Sequence, residues 1–138
     1  MSYDLMVFEP TIAPTTHAEF MEWYDQQTEW GEGHGYDDPA VSTPKLRAWF
    51  MDIIKEFPPL NGPPSQEELP HDEDTATDYS VGKVVIYGAF AWSKAEAAYA
   101  TMFDLANKHG VGFFNASSDD AEVWLPVGGK LVLAHSSK

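Results

Sequence analysis

The residues with which this 138-residue chain could do chemistry are five histidines, one arginine and 22 carboxylates, with no cysteine among them. The missing thiols remove disulfides, zinc-thiolate centres and thiol nucleophiles together. His17, His34, His71, His109 and His135 show no ligand spacing and no HExxH helix. His34 with Asp37 and Asp38, or His71 with Asp72, could hold a metal adventitiously, but neither pattern is a built site, and no metal or other cofactor is expected. Gly31-Glu32-Gly33-His34-Gly35 imitates a phosphate-binding glycine loop, yet it follows a helical pattern and puts Glu32 where a phosphate would approach. Asp72-Glu73-Asp74 opens like a calcium loop and then fails. Ala76 takes the fifth position, Thr77 the glycine position, and Lys83 the twelfth, where a bidentate Glu is required. There is no GxSxG elbow, and Arg47 alone offers a guanidinium for gripping phosphate or carboxylate. Two carboxylates out of 22 will lie close by chance, so a glycosidase-type pair cannot be argued from counts. No catalytic residue is therefore assigned, and the chain is not expected to be an enzyme.

The carboxylates are informative through their placement. The first 44 residues contain no Lys or Arg and nine carboxylates, and a second basic-free stretch from Glu56 to Gly82 adds seven more. With a formal charge of −14, the chain repels nucleic-acid backbones and anionic membranes, so neither is an expected partner. A basic protein is the natural complement. The start Met1-Ser2-Tyr3-Asp4 has no basic, apolar leader pattern and no stretch reaches membrane-spanning length, which reads as cytoplasmic. One domain over residues 1–138 is expected, with a mobile acidic Pro/Gly-rich loop at about 58–77.

The elements that must position these groups follow from periodicity. Residues 2–8 predict a strand, and because Met6 and Phe8 are apolar as well as Leu5 and Val7, a strand covered on both faces near the middle of a sheet. Thr16 and Glu19 have capping-box spacing ahead of Phe20, Trp23, Tyr24, Gln27 and Trp30, an amphipathic helix whose outer face carries Glu22, Asp25 and Glu29. A second helix, capped by Thr43-Pro44, carries Leu46, Trp49, Phe50, Ile53 and Phe57, with Pro58-Pro59 ending the pattern. Lys83–Phe90 is the strongest strand signal and can pair with 78–80. A third helix, with Ser93 and Glu96 as a further capping box, buries Tyr99, Met102, Phe103 and Ala106 and stops at Gly110. Residues 111–115 and 122–125 predict a hairpin, and a last strand follows Gly128-Gly129. The expected class is α+β, a mostly antiparallel sheet with three helices packed mainly on one face.

Most aromatics fall at core spacing, but Trp30, Tyr36 and Trp92 lie at element ends or in loops. Aromatic anchors inside an acidic rim describe a surface for a basic partner, here Glu29, Trp30, Glu32, Tyr36, Asp37 and Asp38 together with Glu67, Glu68, Asp72 and Glu73. The alternative is a small enzyme or ligand-binding protein with a pocket near Trp92 and Tyr79. Oligomeric state is open.

The strings SYDLMVFEP, WYDQQTEW, LRAWFMDII, FPPLNGP, TDYSVGKVVIYGAFAWSKAE and KHGVGFF resemble a family of small acidic bacterial proteins of unassigned activity. Those proteins look like immunity proteins encoded beside polymorphic or type VI secreted toxins. The resemblance implies a role in interbacterial competition, as a non-catalytic antitoxin that binds one cognate basic toxin domain and occludes its active site.

Overall fold

The computed structural model describes residues 3–28, 39–57, 77–118 and 120–136. β1 (Tyr3–Phe8) is apolar on both faces. Leu5 and Val7 enter one core and Met6 and Phe8 another, all four without exposure. A strand with two buried faces belongs inside a sheet, and β1 pairs antiparallel with β3 (Val85–Phe90) on one side and β4 (Gly112–Phe114) on the other. β2 (Asp78–Val81), β5 (Val123–Val127) and β6 (Lys130–His135) complete a fully antiparallel sheet in the order β2-β3-β1-β4-β5-β6. With three helices this is the α+β class.

Two of the helices share a face. α2 (Pro44–Ile53) and α3 (Ala95–His109) bury Trp49, Phe50, Ile53, Met102 and Ala106 over Leu5 and Val7. α1 (His17–Gln27) lies on the opposite face, over Met6 and Phe8, with Phe20 as its one fully buried side chain.

The caps follow the sequence only in part. Thr16 caps α1, accepting the Glu19 N–H at 3.3 Å while its hydroxyl donates to Glu19 Oε1 at 2.9 Å. Thr43 holds the N-cap position of α2 with Pro44 after it, but makes no side-chain cap bond. Its hydroxyl is buried without a partner among the described residues, while its N–H donates to the Lys83 carbonyl at 3.0 Å, beside the β2–β3 turn. Ser93 is not a cap either, because the chain enters α3 through a 3-10 turn, Trp92–Lys94, that moves the N-cap position to Lys94. α3 ends as expected at Gly110, in the left-handed conformation with φ 68°.

Gly128 and Gly129, with φ 60° and 85°, form the two-residue turn that suits the twist of the β5–β6 hairpin. β6 is a sheet edge, and the Leu131 N–H donates to Asn107 Oδ1 of α3 at 2.8 Å, which covers part of that edge. The single arginine is spent on the fold, its guanidinium donating to the carbonyls of Ser42 at 3.2 Å and Ala40 at 3.4 Å.

Candidate functional site

Glu29, Trp30, Glu32, Tyr36, Asp37, Asp38, Glu67, Glu68, Asp72 and Glu73 all lie outside the described residues, as does His34. What is described is the helix from which the first of these stretches continues. The outer face of α1 presents Glu19, Glu22 and Asp25 to solvent. Glu22 and Asp25 make no ion pair among the described residues. The last turn of α1 holds no basic residue, so Asp25 sits at the negative end of the helix macrodipole. Such a face lowers the stability of an isolated helix slightly and is complementary to positive charge.

The inner face of α1 is aromatic. Phe20 meets Phe8 and Phe114, each with ring centroids 5.2 Å apart, and Tyr24 meets Phe114 at 4.8 Å. Beyond Tyr24 lies a polar group: Tyr87 donates its hydroxyl to Asp4 Oδ2 at 2.5 Å, and the Asp4 N–H donates to Ser117 Oγ at 2.6 Å. Burial, and then the Asp4 carboxylate, push the Tyr87 phenol far above its ordinary range, and burial raises Tyr24 too. Phenols held protonated in this way act as hydrogen-bond donors and not as bases.

At the N-terminus of α1, His17 meets the end of β6. The Nδ1 atoms of His17 and His135 are 2.9 Å apart while the ring centroids are 5.1 Å apart, so the two nitrogens face one another nearly head-on. One of them must carry a proton and the other must not. His135 also packs edge-on against Phe20 at 5.5 Å, and its Nε2 is buried without a partner among the described residues. Burial first, and the His17 charge second, depress the His135 pKa. Folded His135 thus takes up its proton at lower pH than the unfolded chain, and stability is complete above about pH 6.5 and falls as pH drops below it. We expect the melting temperature to decline between about pH 6.5 and 5, and His135→Asn to flatten that segment in thermal scans across pH. An unchanged slope in His135→Asn would remove this pair from the acid response.

A second charged group joins α2 to α3. Asp52 accepts from His109 Nε2 at 2.7 Å and from Lys108 and Lys55 Nζ at 3.1 Å each. His109 first, then Lys108 and Lys55, hold the Asp52 carboxyl well below the ordinary carboxylate range. Its contribution is present above the unfolded value near 3.8 and is lost only as pH falls further, well away from the histidine window. Asp52 borders a solvent-open groove of about 470 Å³ that also includes Lys55, Thr101, Asp104 and Lys108. A second groove, of about 490 Å³, lies between Pro10, Lys45, Gly110 and the β5–β6 hairpin.

Comparison with protein-family models, curated proteins and solved structures finds no match. What the site does is therefore read from its own geometry. Trp92 and Tyr79 line neither groove. Tyr79 is a core residue whose hydroxyl donates to the Phe57 carbonyl at 2.8 Å and whose ring meets Phe50 and Phe90. Trp92 is 51 % exposed and touches Tyr3, with centroids 5.0 Å apart. Among the described residues no group of three or more His, Asp or Glu could hold a metal, and no helix is long and apolar enough to cross a membrane. The polar groups that sequence reasoning missed are His17 with His135 and Asp4 with Tyr87, each joined across most of the chain.

Proposed function

We propose that this chain is a non-catalytic inhibitor of the immunity-protein kind, which binds a basic toxin domain in the cytoplasm and occludes its active site. The observation that carries this reading is the outer face of α1: exposed carboxylates at Glu22 and Asp25 with no cation partner among the described residues, Asp25 lying at the negative end of the helix dipole. A surface that adds nothing to the stability of its own helix gains its use in a complex, where opposite charge speeds encounter and sets register. The stretch of 44 residues without Lys or Arg extends the same negative field along the sequence.

The test is affinity capture from the source cells at low and high salt, followed by a binding measurement on what is recovered. One basic protein at equal stoichiometry, lost at high salt, is the expected outcome. Glu22→Lys with Asp25→Lys should then weaken binding about tenfold or more, mainly through the association rate, and leave the unfolding midpoint nearly unchanged. A clean monomer or homodimer with no partner at either salt overturns the proposal, and unchanged affinity in the double variant overturns the assignment of α1.

A further inference from the structure

We propose that the outer edge of β6 is an interface between two copies of this chain, which pair it antiparallel and join their sheets into one. β6 ends the sheet, and among the described residues no strand lies beyond it. Backbone groups point alternately to the two sides of a strand, so one known direction sets the rest. The Leu131 N–H is turned away from β5, toward Asn107 Oδ1, and the ladder to β5 is regular from Val127↔Lys130 to Trp124↔Leu133. The N–H and C=O of Leu133 therefore face outward too, and no hydrogen bond to them is found among the described residues. The flanking side chains are apolar, Leu133 50 % and Val132 42 % exposed. Proteins that keep such an edge to themselves charge it or cover it, and here Asn107 covers only the Leu131 end.

The occupant follows from charge. After Glu122 the chain contains no carboxylate, while Lys130, His135 and Lys138 all fall there. Two bodies of net charge −14 can approach along this rim without setting carboxylate against carboxylate. The rim is also complementary to itself. Val123 and Leu125 pack on the α1 side of the sheet, so by alternation Val127 and its cross-strand partner Lys130 lie on that side, and Lys130 makes no ion pair among the described residues. At the other end of β6, His135 touches His17, two residues before the exposed Glu19 in the first turn of α1. Pairing Leu133 with the second copy's Leu133 makes a two-fold axis, leaves the Asn107 bond in place, and carries Lys130 to the His135 end of the second copy, toward its Glu19. Leu133 then meets its counterpart on the α3 side and Val132 meets Ala134 on the α1 side, while a reciprocal pair of N–H···O=C bonds forms at the axis. The register shift beyond Leu133 keeps this ladder short. The axis is normal to the sheet, so both α1 helices face the same way. None of this depends on the inhibitor reading.

Sedimentation velocity of the full chain from ~10 µM to ~1 mM tests the interface. A short ladder buries less than the ~800 Å² per partner of a tight dimer, so a reversible monomer–dimer equilibrium with a midpoint of ~100 µM is expected. Salt should strengthen it by screening two like-charged bodies, opposite to its effect on a basic partner. Leu133→Lys sets two cations at the axis and should weaken the dimer about tenfold or more with an unchanged unfolding midpoint. Lys130→Glu should weaken it about threefold, and adding Glu19→Lys should recover that loss. In hydrogen exchange the Leu133 amide should gain protection as concentration rises, whereas the Leu131 amide, already held by Asn107, should not. A monomer at every concentration, or a dimer that Leu133→Lys leaves intact, overturns the interface. A loss in Lys130→Glu that Glu19→Lys does not recover overturns the antiparallel register. A captured basic partner without self-association removes the interface and leaves the inhibitor reading, and self-association without a partner does the reverse.

Discussion

Phe20→Ala should lower the stability of the protein by about 3–5 kcal/mol, the usual cost of emptying a fully buried aromatic site. Phe20 is the one side chain of α1 with no exposure, and it meets Phe8, Trp23, Phe114 and His135. The rest of the inner face, Met21, Trp23 and Tyr24, is only partly buried, so nothing else on the helix can take over the anchoring. The loss should be local as well as global. Amides of α1 should exchange with solvent well before those of α2 and α3, whose burial lies on the other side of the sheet. Urea unfolding and hydrogen exchange check the two parts, and a cost below about 1 kcal/mol would show that α1 is held by something other than this ring. Because α1 carries the anionic face, the same substitution should also weaken partner binding without altering a single carboxylate.

Gly112→Ala should be nearly as damaging, for the opposite reason. A Cβ at position 112 would lie 2.3 Å from Phe8 Cζ and 2.4 Å from Cε2. Phe8 and Gly112 are direct cross-strand partners, and the Phe8 ring lies over the glycine in the space that a side chain would need. That ring is buried and confined by Phe20 and Trp23, with centroids 5.2 and 5.9 Å away, so it cannot swing aside. Overpacking of this kind costs about 1–3 kcal/mol, or more where backbone must move. Phe8→Leu should be destabilising alone yet less so, or even restorative, on top of Gly112→Ala. Urea melts of the four proteins in that cycle give the coupling, and additive costs would mean that the two residues do not share the space.

Where the signal was local, the sequence revealed the fold. The double apolar face of residues 5–8 announced a central strand, the 3.6-residue recurrence of Leu46, Trp49, Phe50 and Ile53 announced α2, and Gly128-Gly129 marked the break before the last strand. Two capping signals failed: the Thr43 hydroxyl makes no cap bond although Pro44 stands at the first helical position, and Ser93 is absorbed into a 3-10 turn. Strand order carried no local signal, since that β1 lies between β3 and β4 depends on contacts among distant segments. The candidate site divides in the same way. The stripe at Glu22 and Asp25 was legible because a helix repeats over a few residues. The His17–His135 and Asp4–Tyr87 groups had to wait for the sheet to bring them together. The acidic loop residues proposed from composition lie outside the described residues.

The central place of β1 has a consequence for how the chain reaches its native state. Asp4 alone bonds to partners 83 and 113 positions away, and the register of Phe8 runs to Val85 on one side and Gly112 on the other. Closing loops of that length precedes any reward from strand pairing, which places folding toward the slow end for domains of this size, around milliseconds to seconds. During synthesis Leu5, Met6, Val7 and Phe8 leave the ribosome about 100 residues ahead of their partners in β4, a bare apolar strand with both edges open. The waiting segment is embedded in the 44 residues that carry nine carboxylates and no Lys or Arg. Mutual repulsion between such nascent chains opposes strand-to-strand aggregation, so the acidity that would draw a basic partner to the folded protein also guards the unfinished one.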